Sequence, residues 1–256
     1  LVPEAQYSTD SSGNITGLAG ASGAVYYAMP LATPEQFGAL GDGTTDDGQA
    51  IQNAVNSTSH SGVIFRPGKN YKCKNIAVPS SKRVIAYGAT ITWGGSFGTA
   101  PTAENVSAIF YVQGTSGARC SDVMFEGGLL VGSRTGTDYA STGANEQDSI
   151  AIQYVDNVTI RDVHFKDAKQ DCISIYDTTA ARVIGNYFEN AGDVGVDIAS
   201  GSSIQVIGNT GYRIRSLVSC KPNIDGVAIV GNAADTFGIG ITAHGPNWQI
   251  QSNTLR

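Results

Sequence analysis

The sequence predicts an all-β solenoid, a parallel β-helix closed at its start by one capping helix. Three observations carry this reading. First, Asn186, Asn209, Asn232 and Asn253 follow one another at intervals of 23, 23 and 21 residues, inside the recurring phrases IGNYF, VIGNTG, IVGNAA and IQSNTL. Second, alternating apolar pairs keep the same period. Ile173/Ile175, Val196/Ile198, Val218/Cys220 and Ile239/Ile241 stand well ahead of each Asn, and Ala181/Val183, Ile204/Val206, Val227/Ile229 and Trp248/Ile250 stand closer to it. A period of about 20–50 residues with strand-like alternation makes each repeat one coil of a solenoid. Third, Gly reaches 32 of 256 residues and charged residues only 15%, against norms of about 7% and about 25%. That balance suits short strands and tight turns. The four Asn side chains are expected to stack at one turn in the left-handed conformation, which Asn tolerates.

Residues 1–33 are rich in Ser, Gly and Ala with little periodicity, and are expected to be an N-terminal linking arm, ordered only where a partner holds it. The β-helix domain is expected over 34–256. In TPEQFGALGDGTTDDGQAIQNAVN, Asp46 is placed to cap a helix, with Gln49 three residues on, and Ala50, Ile51, Ala54 and Val55 form one apolar face. Asp46 and Asp47 are thus read as capping residues rather than catalysts. Such a helix can plug the open end of a solenoid, which otherwise exposes core and unpaired strand edges.

Residues 62–93 give strand-length apolar runs split by Pro and Gly, the first and tighter coils. The repeat register continues through Phe110/Val112, Val123/Phe125, Ile150/Ile152 and Val158/Ile160. Two stretches, 94–107 and 132–147, are too long for coil turns and read as inserted loops. At the far end Trp248 falls in the inward column of Val158, Ala181, Ile204 and Val227. The helix is therefore expected to be incomplete at Arg256, needing more chain, a cap or a partner subunit beyond it.

Net charge is −6 without any Lys/Arg run, which argues against a nucleic-acid surface. No apolar run approaches the ~18 residues of a membrane span. Cys73, Cys120, Cys172 and Cys220 form no CxxC pair and read as free thiols, and His60, His164 and His244 are too dispersed for a zinc site. No metal site is expected.

The stretch FGALGDGTTDDGQAIQNAV resembles the entry motif of the pectate-lyase-like right-handed parallel β-helix superfamily, which includes bacteriophage tailspike depolymerases and polygalacturonase-type glycoside hydrolases. With the coils, the resemblance covers about residues 34–256. A second, partial resemblance is to polygalacturonases, which carry Asn-Thr-Asp-Gly, Asp-Asp-Cys, Gly-His-Gly and Arg-Ile-Lys in order. Here QDS (147–149), QDC (170–172), DVG (193–195) and RIR (213–215) stand at those places. The resemblance implies catalytic roles for Asp148 and Asp171 and substrate-binding roles for Arg213 and Arg215. Gln170 replaces the family's general acid, and Val194 its His. The tailspike resemblance further implies a homotrimer on a virion surface or otherwise outside the cell, joined to other tail proteins through the N-terminal arm, with a bacterial capsular or O-antigen polysaccharide as substrate.

The residues suggest the same chemistry by spacing. Asp148 and Asp171 lie 23 apart, so they occupy the same place on adjacent coils about 4.8 Å apart, close enough to share protons. Asp193 follows on the next coil with Asp197 nearby. Glycoside hydrolysis needs two carboxylates, and Asp193 is expected to be the acid, with Asp148 or Asp171 the base. Trp93, Tyr139 and Tyr176 are candidates to pack against sugar rings. A hydrolase of this kind takes no cofactor. A lyase would use a base such as Lys221 beside Asp-bound Ca²⁺. The alternative from another class is a non-catalytic spike, adhesin or virion decoration, in which the acids are only a stacked polar ladder.

Overall fold

The computed structural model describes residues 30–95, 107–135, 147–222, 224–243 and 245–256, with three short strands ahead of them. The expected insertions, Tyr139 included, lie almost wholly outside the described residues. The chain winds as a parallel β-helix with three faces. The first is built of Ile76–Ala77, Ser107–Gln113, Gln147–Gln153, Ile173–Tyr176 and Val194–Ile198; the second runs from Leu31–Ala32 to Gln249–Gln251; the third from Asp42–Asp46 to Thr254–Leu255. The strand Thr210–Cys220 turns a corner. Its Thr210–Tyr212 part pairs with Tyr187–Glu189 on the third face, and its Ser216–Cys220 part with Val194–Ile198 on the first.

The inward columns are those of the apolar pairs. Phe110, Ile150, Ile173, Val196 and Val218 stand in register on the first face. Val123, Val158 and Ala181 do so on the second, as do Ile204 and Val227. Each buried Ile or Val contributes roughly 1.5–3 kcal/mol relative to exposure, so every coil adds several. Phe165 and Phe188 stack on the third face with ring centroids 5.4 Å apart. One column departs from the expected register: Val218 pairs with Ile241 rather than with Ile239, because irregularities between Tyr212 and Val218 shift the strand at its corner.

The Asn ladder is present, with Asn186, Asn209 and Asn232 buried and Asn253 half-buried at the end. Asn186 Nδ2 donates to Asn209 Oδ1 at 3.0 Å, Asn209 Nδ2 to Asn232 Oδ1 at 2.9 Å, and Asn232 Nδ2 to Asn253 Oδ1 at 2.9 Å. Each Nδ2 also donates to a backbone carbonyl, as Asn209 does to Val183 at 2.9 Å. The expected left-handed backbone is not at these residues. It belongs to the residue before each: Gly185 (φ 64°), Gly208 (64°), Gly231 (66°) and Ser252 (56°). That residue makes the corner, which frees the Asn side chain to lie flat under the turn and satisfy it. The corner into the first face has its own left-handed column, Asp167, Asn190 and Arg213, with φ of 54°, 55° and 53°.

The start of the helix is capped as expected, with the details moved. The helix α1 spans Gly48–Asn56 and buries Ile51, Ala54 and Val55. It touches Gly62–Ile64, Asn70–Cys73 and Ile76–Ala77, one strand from each face, and so lies across the open end. Its N-cap is Asp47, one residue later than expected. Asp46 Oδ1 accepts the Gly48 amide at 2.9 Å, while the buried Asp47 carboxylate accepts the amides of Leu40 and Gly41 at 2.7 and 3.1 Å. Asp47 is thus spent on folding the preceding loop back onto the helix. Gln52 completes the edge of the first face: its Nε2 donates to the Ala77 carbonyl at 2.9 Å, and its Oε1 accepts the Ala77 amide at 2.8 Å. An exposed strand edge is hereby closed without another strand.

Two expectations about the arm change. Strands Gln6–Thr9, Ile15–Ala19 and Val25–Tyr26 form a small antiparallel sheet within 1–33. The solenoid's second face also begins before residue 34, since Leu31–Ala32 pairs with Gly62 and Val63.

Candidate functional site

The third-to-first corner brings the coil period to bear on polar residues. Gln147, Gln170, Asp193 and Arg215 form one column, each amide donating to the carbonyl of the residue on the preceding coil: Gln170 to Gln147 at 3.0 Å, Asp193 to Gln170 at 2.9 Å and Arg215 to Asp193 at 3.1 Å. One residue on, Asp148 and Asp171 repeat a single device. Asp148 Oδ1 accepts the Asp171 amide at 3.2 Å, and Asp171 Oδ1 accepts the Val194 amide at 3.0 Å. Three residues further, Ser174, Asp197, Ser219 and Thr242 stand in register on the outer side of the first face.

These columns border a cleft of about 300 Å³, lined by Asp171, Asp193, Asp197, Arg215, Lys221 and Gln170 among others. Arg215 Nη1 lies 3.0 Å from Asp193 Oδ1, and Lys221 Nζ lies 3.5 Å from Asp197 Oδ1. Asp171 is the acid left without a cation. Burial pushes its carboxyl well above the usual range, reinforced by the carboxylates of Asp148, Asp197 and Asp193, while the Val194 amide pulls it down. Asp197 is also raised, by burial first, with Lys221 and Ser219 pulling it back. Gln170 Oε1 is buried in the cleft wall with no hydrogen-bond partner in the protein.

Of the residues expected from the sequence, Asp171, Asp193, Asp197 and Arg215 meet in this cleft. Asp148 does not line it. At 1% exposure it lies beneath, its Oδ2 accepting the Ser174 hydroxyl. Arg213 is a correction: it occupies the left-handed corner position and is exposed away from the cleft, because the corner that separates it from Arg215 turns the two side chains apart. Trp93 is a second correction. It is 6% exposed, packed in the apolar core, with its indole N–H on the Gly95 carbonyl at 2.5 Å, so its ring is used by packing and forms no groove wall. Tyr176 ends its strand half-buried on the outer side of the first face and does not line the cleft. Tyr139 lies outside the described residues. Ser174 and Ser219 are not among the residues expected from the sequence, although 174, 197, 219 and 242 keep intervals of 23, 22 and 23; extending the period from apolar to polar positions reveals them.

A family model described as "right handed beta helix region" matches residues 43–211. Among curated proteins, a capsule K30/K69-specific depolymerase of Klebsiella phage K64-1 is 49% identical over 57 residues, 22% of this chain and 7% of that protein. Depolymerase 1 of Klebsiella phage K5-2, specific for the same capsules, is 40% identical over 63 residues, 25% of this chain and 7% of its own. The matches therefore span a small part of these relatives' length. Among solved structures, a family 28 exopolygalacturonase of Yersinia enterocolitica superposes with a TM-score of 0.71 at 13% identity, covering 97% of this chain and 57% of its own. The tailspike of Escherichia coli bacteriophage HK620 superposes with a TM-score of 0.67 at 12% identity, covering 92% and 48%. At such identities the likeness is one of fold.

Proposed function

We propose, from the premise that the chain belongs to the right-handed β-helix family, that it is part of a phage polysaccharide depolymerase which hydrolyses a bacterial surface polysaccharide in the Asp171 cleft. The observation that carries this is the contrast between two neighbouring acids. Asp171 is buried without a cation and tends to keep its proton, whereas Asp193 is held against the Arg215 guanidinium. Hydrolysis of a glycosidic bond needs one carboxyl that gives a proton and one that takes one. The roles expected from the sequence are thereby exchanged: Asp171 is the acid and Asp193 the base.

In this reading a sugar chain crosses the cleft with its glycosidic oxygen at Asp171. Asp171 gives its proton to that oxygen as the C–O bond breaks. A water adds to the anomeric carbon and yields its proton to Asp193, so one water is consumed and one new reducing end appears. Proton exchange with solvent returns both acids to their starting states. Gln170 Oε1, lacking a protein donor, is placed to accept a sugar hydroxyl, and Lys221 and Arg215 keep Asp197 and Asp193 in position. A virion-surface location belongs to the same reading, with the phage origin of the depolymerase relatives as its support; assembly as a homotrimer and attachment to other tail proteins through the N-terminal segment follow from the tailspike resemblance, and sedimentation equilibrium tests the trimer.

A lyase is the second reading, favoured by Lys221 standing in the cleft beside Asp197. The two are separated with purified K30 and K69 capsules and a panel of other surface polysaccharides. Hydrolysis shortens the polymer with no rise in the absorbance of unsaturated uronates and is indifferent to chelation of Ca²⁺; a lyase gives the rise and loses activity with the chelator.

A further inference from the structure

We propose that Asp148 and Ser174 are positioning residues for Asp171: clamped beneath the cleft floor, the Asp148 carboxylate never meets the sugar and serves to hold the proton on its neighbour. The proposal rests on the hydrolytic reading of the cleft only for its consequence in catalysis; the proton's location is a property of the protein alone.

Two buried carboxylates on adjacent coils cannot both ionise without a large penalty, so one of them keeps a proton. Which one is decided by donors. Asp148 receives the Asp171 amide on Oδ1 and the Ser174 hydroxyl on Oδ2. Asp171 receives a single donor, the Val194 amide. Hydrogen bonds to the charged form favour it, so the negative charge belongs to Asp148 and the proton to Asp171. Exposure agrees with this division. Asp148 is 1% exposed and outside the cleft lining, whereas Asp171 borders the cleft and can pass its proton outward.

Ser174 makes a choice in this arrangement. It stands in register with Asp197 on the next coil, yet its hydroxyl donates to Asp148. A hydroxyl has one hydrogen to give, so Asp197 is left to Ser219 and Lys221. The charged groups around Asp171 are thus sorted: Asp193 goes with Arg215, Asp197 with Lys221, and Asp148 with Ser174, leaving Asp171 as the proton carrier.

The test is a pH titration of the carboxyl carbons by NMR in the protein labelled at aspartate, together with a pH–rate profile. In the wild type the Asp171 signal should titrate above the ordinary carboxylate range. Asp148→Asn should lower that midpoint by about one unit or more and move the alkaline limb of the rate profile the same way. Ser174→Ala should transfer part of the proton to Asp148 and lower kcat with little change in KM, and Ser174→Thr, which restores a hydroxyl, should reverse both. An Asp171 midpoint that stays put in both Asp148→Asn and Ser174→Ala overturns the proposal, whatever the activity. If the midpoints move as expected but no polymer is cut, the hydrolytic reading fails and the proton assignment stands.

Discussion

The surroundings that raise the proton affinity of Asp171 have a consequence for stability as well as for the proposed chemistry. Its folded-state proton affinity is raised, so it contributes stability below the ordinary carboxylate range and loses it as pH climbs through the raised value. Asp171→Asn cannot ionise and keeps an oxygen for the Val194 amide. It should unfold like the wild type near about pH 4 and be the more stable of the two at about pH 8, as read by denaturant midpoints. The same substitution should cost about 10²- to 10⁴-fold in cleavage rate, the usual range for removing a general acid. Glu126 shows the opposite sign. Burial alone would raise it, but hydrogen bonds from Arg83 and Arg161 hold it below its ordinary value. Its contribution is present above the ordinary carboxylate range and lost as pH falls through the lowered one. At this scale the sequence was partly legible. Spacing alone puts Asp148 and Asp171 in one column, because residues one period apart share it, and puts Asp193 beside them in the column of Gln147 and Gln170. It could not tell which of them faces water, and so it had no burial on which to divide acid from base. Burial and the Arg215 pairing, which support the proposed division, are properties of the folded coil.

At the scale of the element, the turn is the unit that repeats. Asn209 gives and receives bonds on both sides, accepting from the Asn186 amide and side chain and donating to Asn232 and Val183. Asn209→Ala leaves several buried donors and acceptors unpaired and should cost roughly 2–3 kcal/mol in equilibrium unfolding. Gly208 beside it makes the corner with φ of 64°, and an added Cβ would meet nothing within 4 Å. Gly208→Ala should therefore cost only the backbone term of about 1–2 kcal/mol, and Gly208→Asn less. The period makes the Asn column visible in the sequence, but not that the residue before each Asn, Gly in three of four and Ser252 in the last, is the left-handed one. Arg213 was misplaced for the same reason. Its interval from Asn190 and Asp167 is that of a corner column, and a corner residue points out of the fold whatever its charge. The helix α1 was legible from its apolar face, while the exact capping partner was not, because Asp46 and Asp47 are chemically alike and the loop they close decides between them. Gln52→Ala removes both bonds to Ala77, and should lower stability by about 1–2 kcal/mol and promote edge-to-edge association, seen by light scattering.

For the whole molecule, the order of faces follows from periodicity and needs little else. A chain whose inward columns repeat every coil can bury them only by stacking, which is why residues 147–256 were readable in outline from the sequence. The early coils were less so, since Pro and Gly shorten their strands and the intervals vary. Trp93 is the clearest case: near an expected loop it looked like a groove residue, yet at the end of Thr90–Trp93 it faces inward over Cys73 and belongs to the core. What a solenoid adds to function is a fixed lattice. Acids one coil apart are held at the strand spacing of about 4.8 Å, and a cleft built on such columns takes its geometry from the strands themselves. The most direct measurement is the release of new reducing ends from purified capsular and O-antigen polysaccharides, the K30 and K69 capsules among them, by the wild type and by Asp171→Asn side by side. Release by the wild type, falling at least about a hundredfold in the variant while its fold and its binding of the polymer persist, is the expected result. Undiminished release by Asp171→Asn, or a polymer that the wild type binds but never shortens, would contradict it.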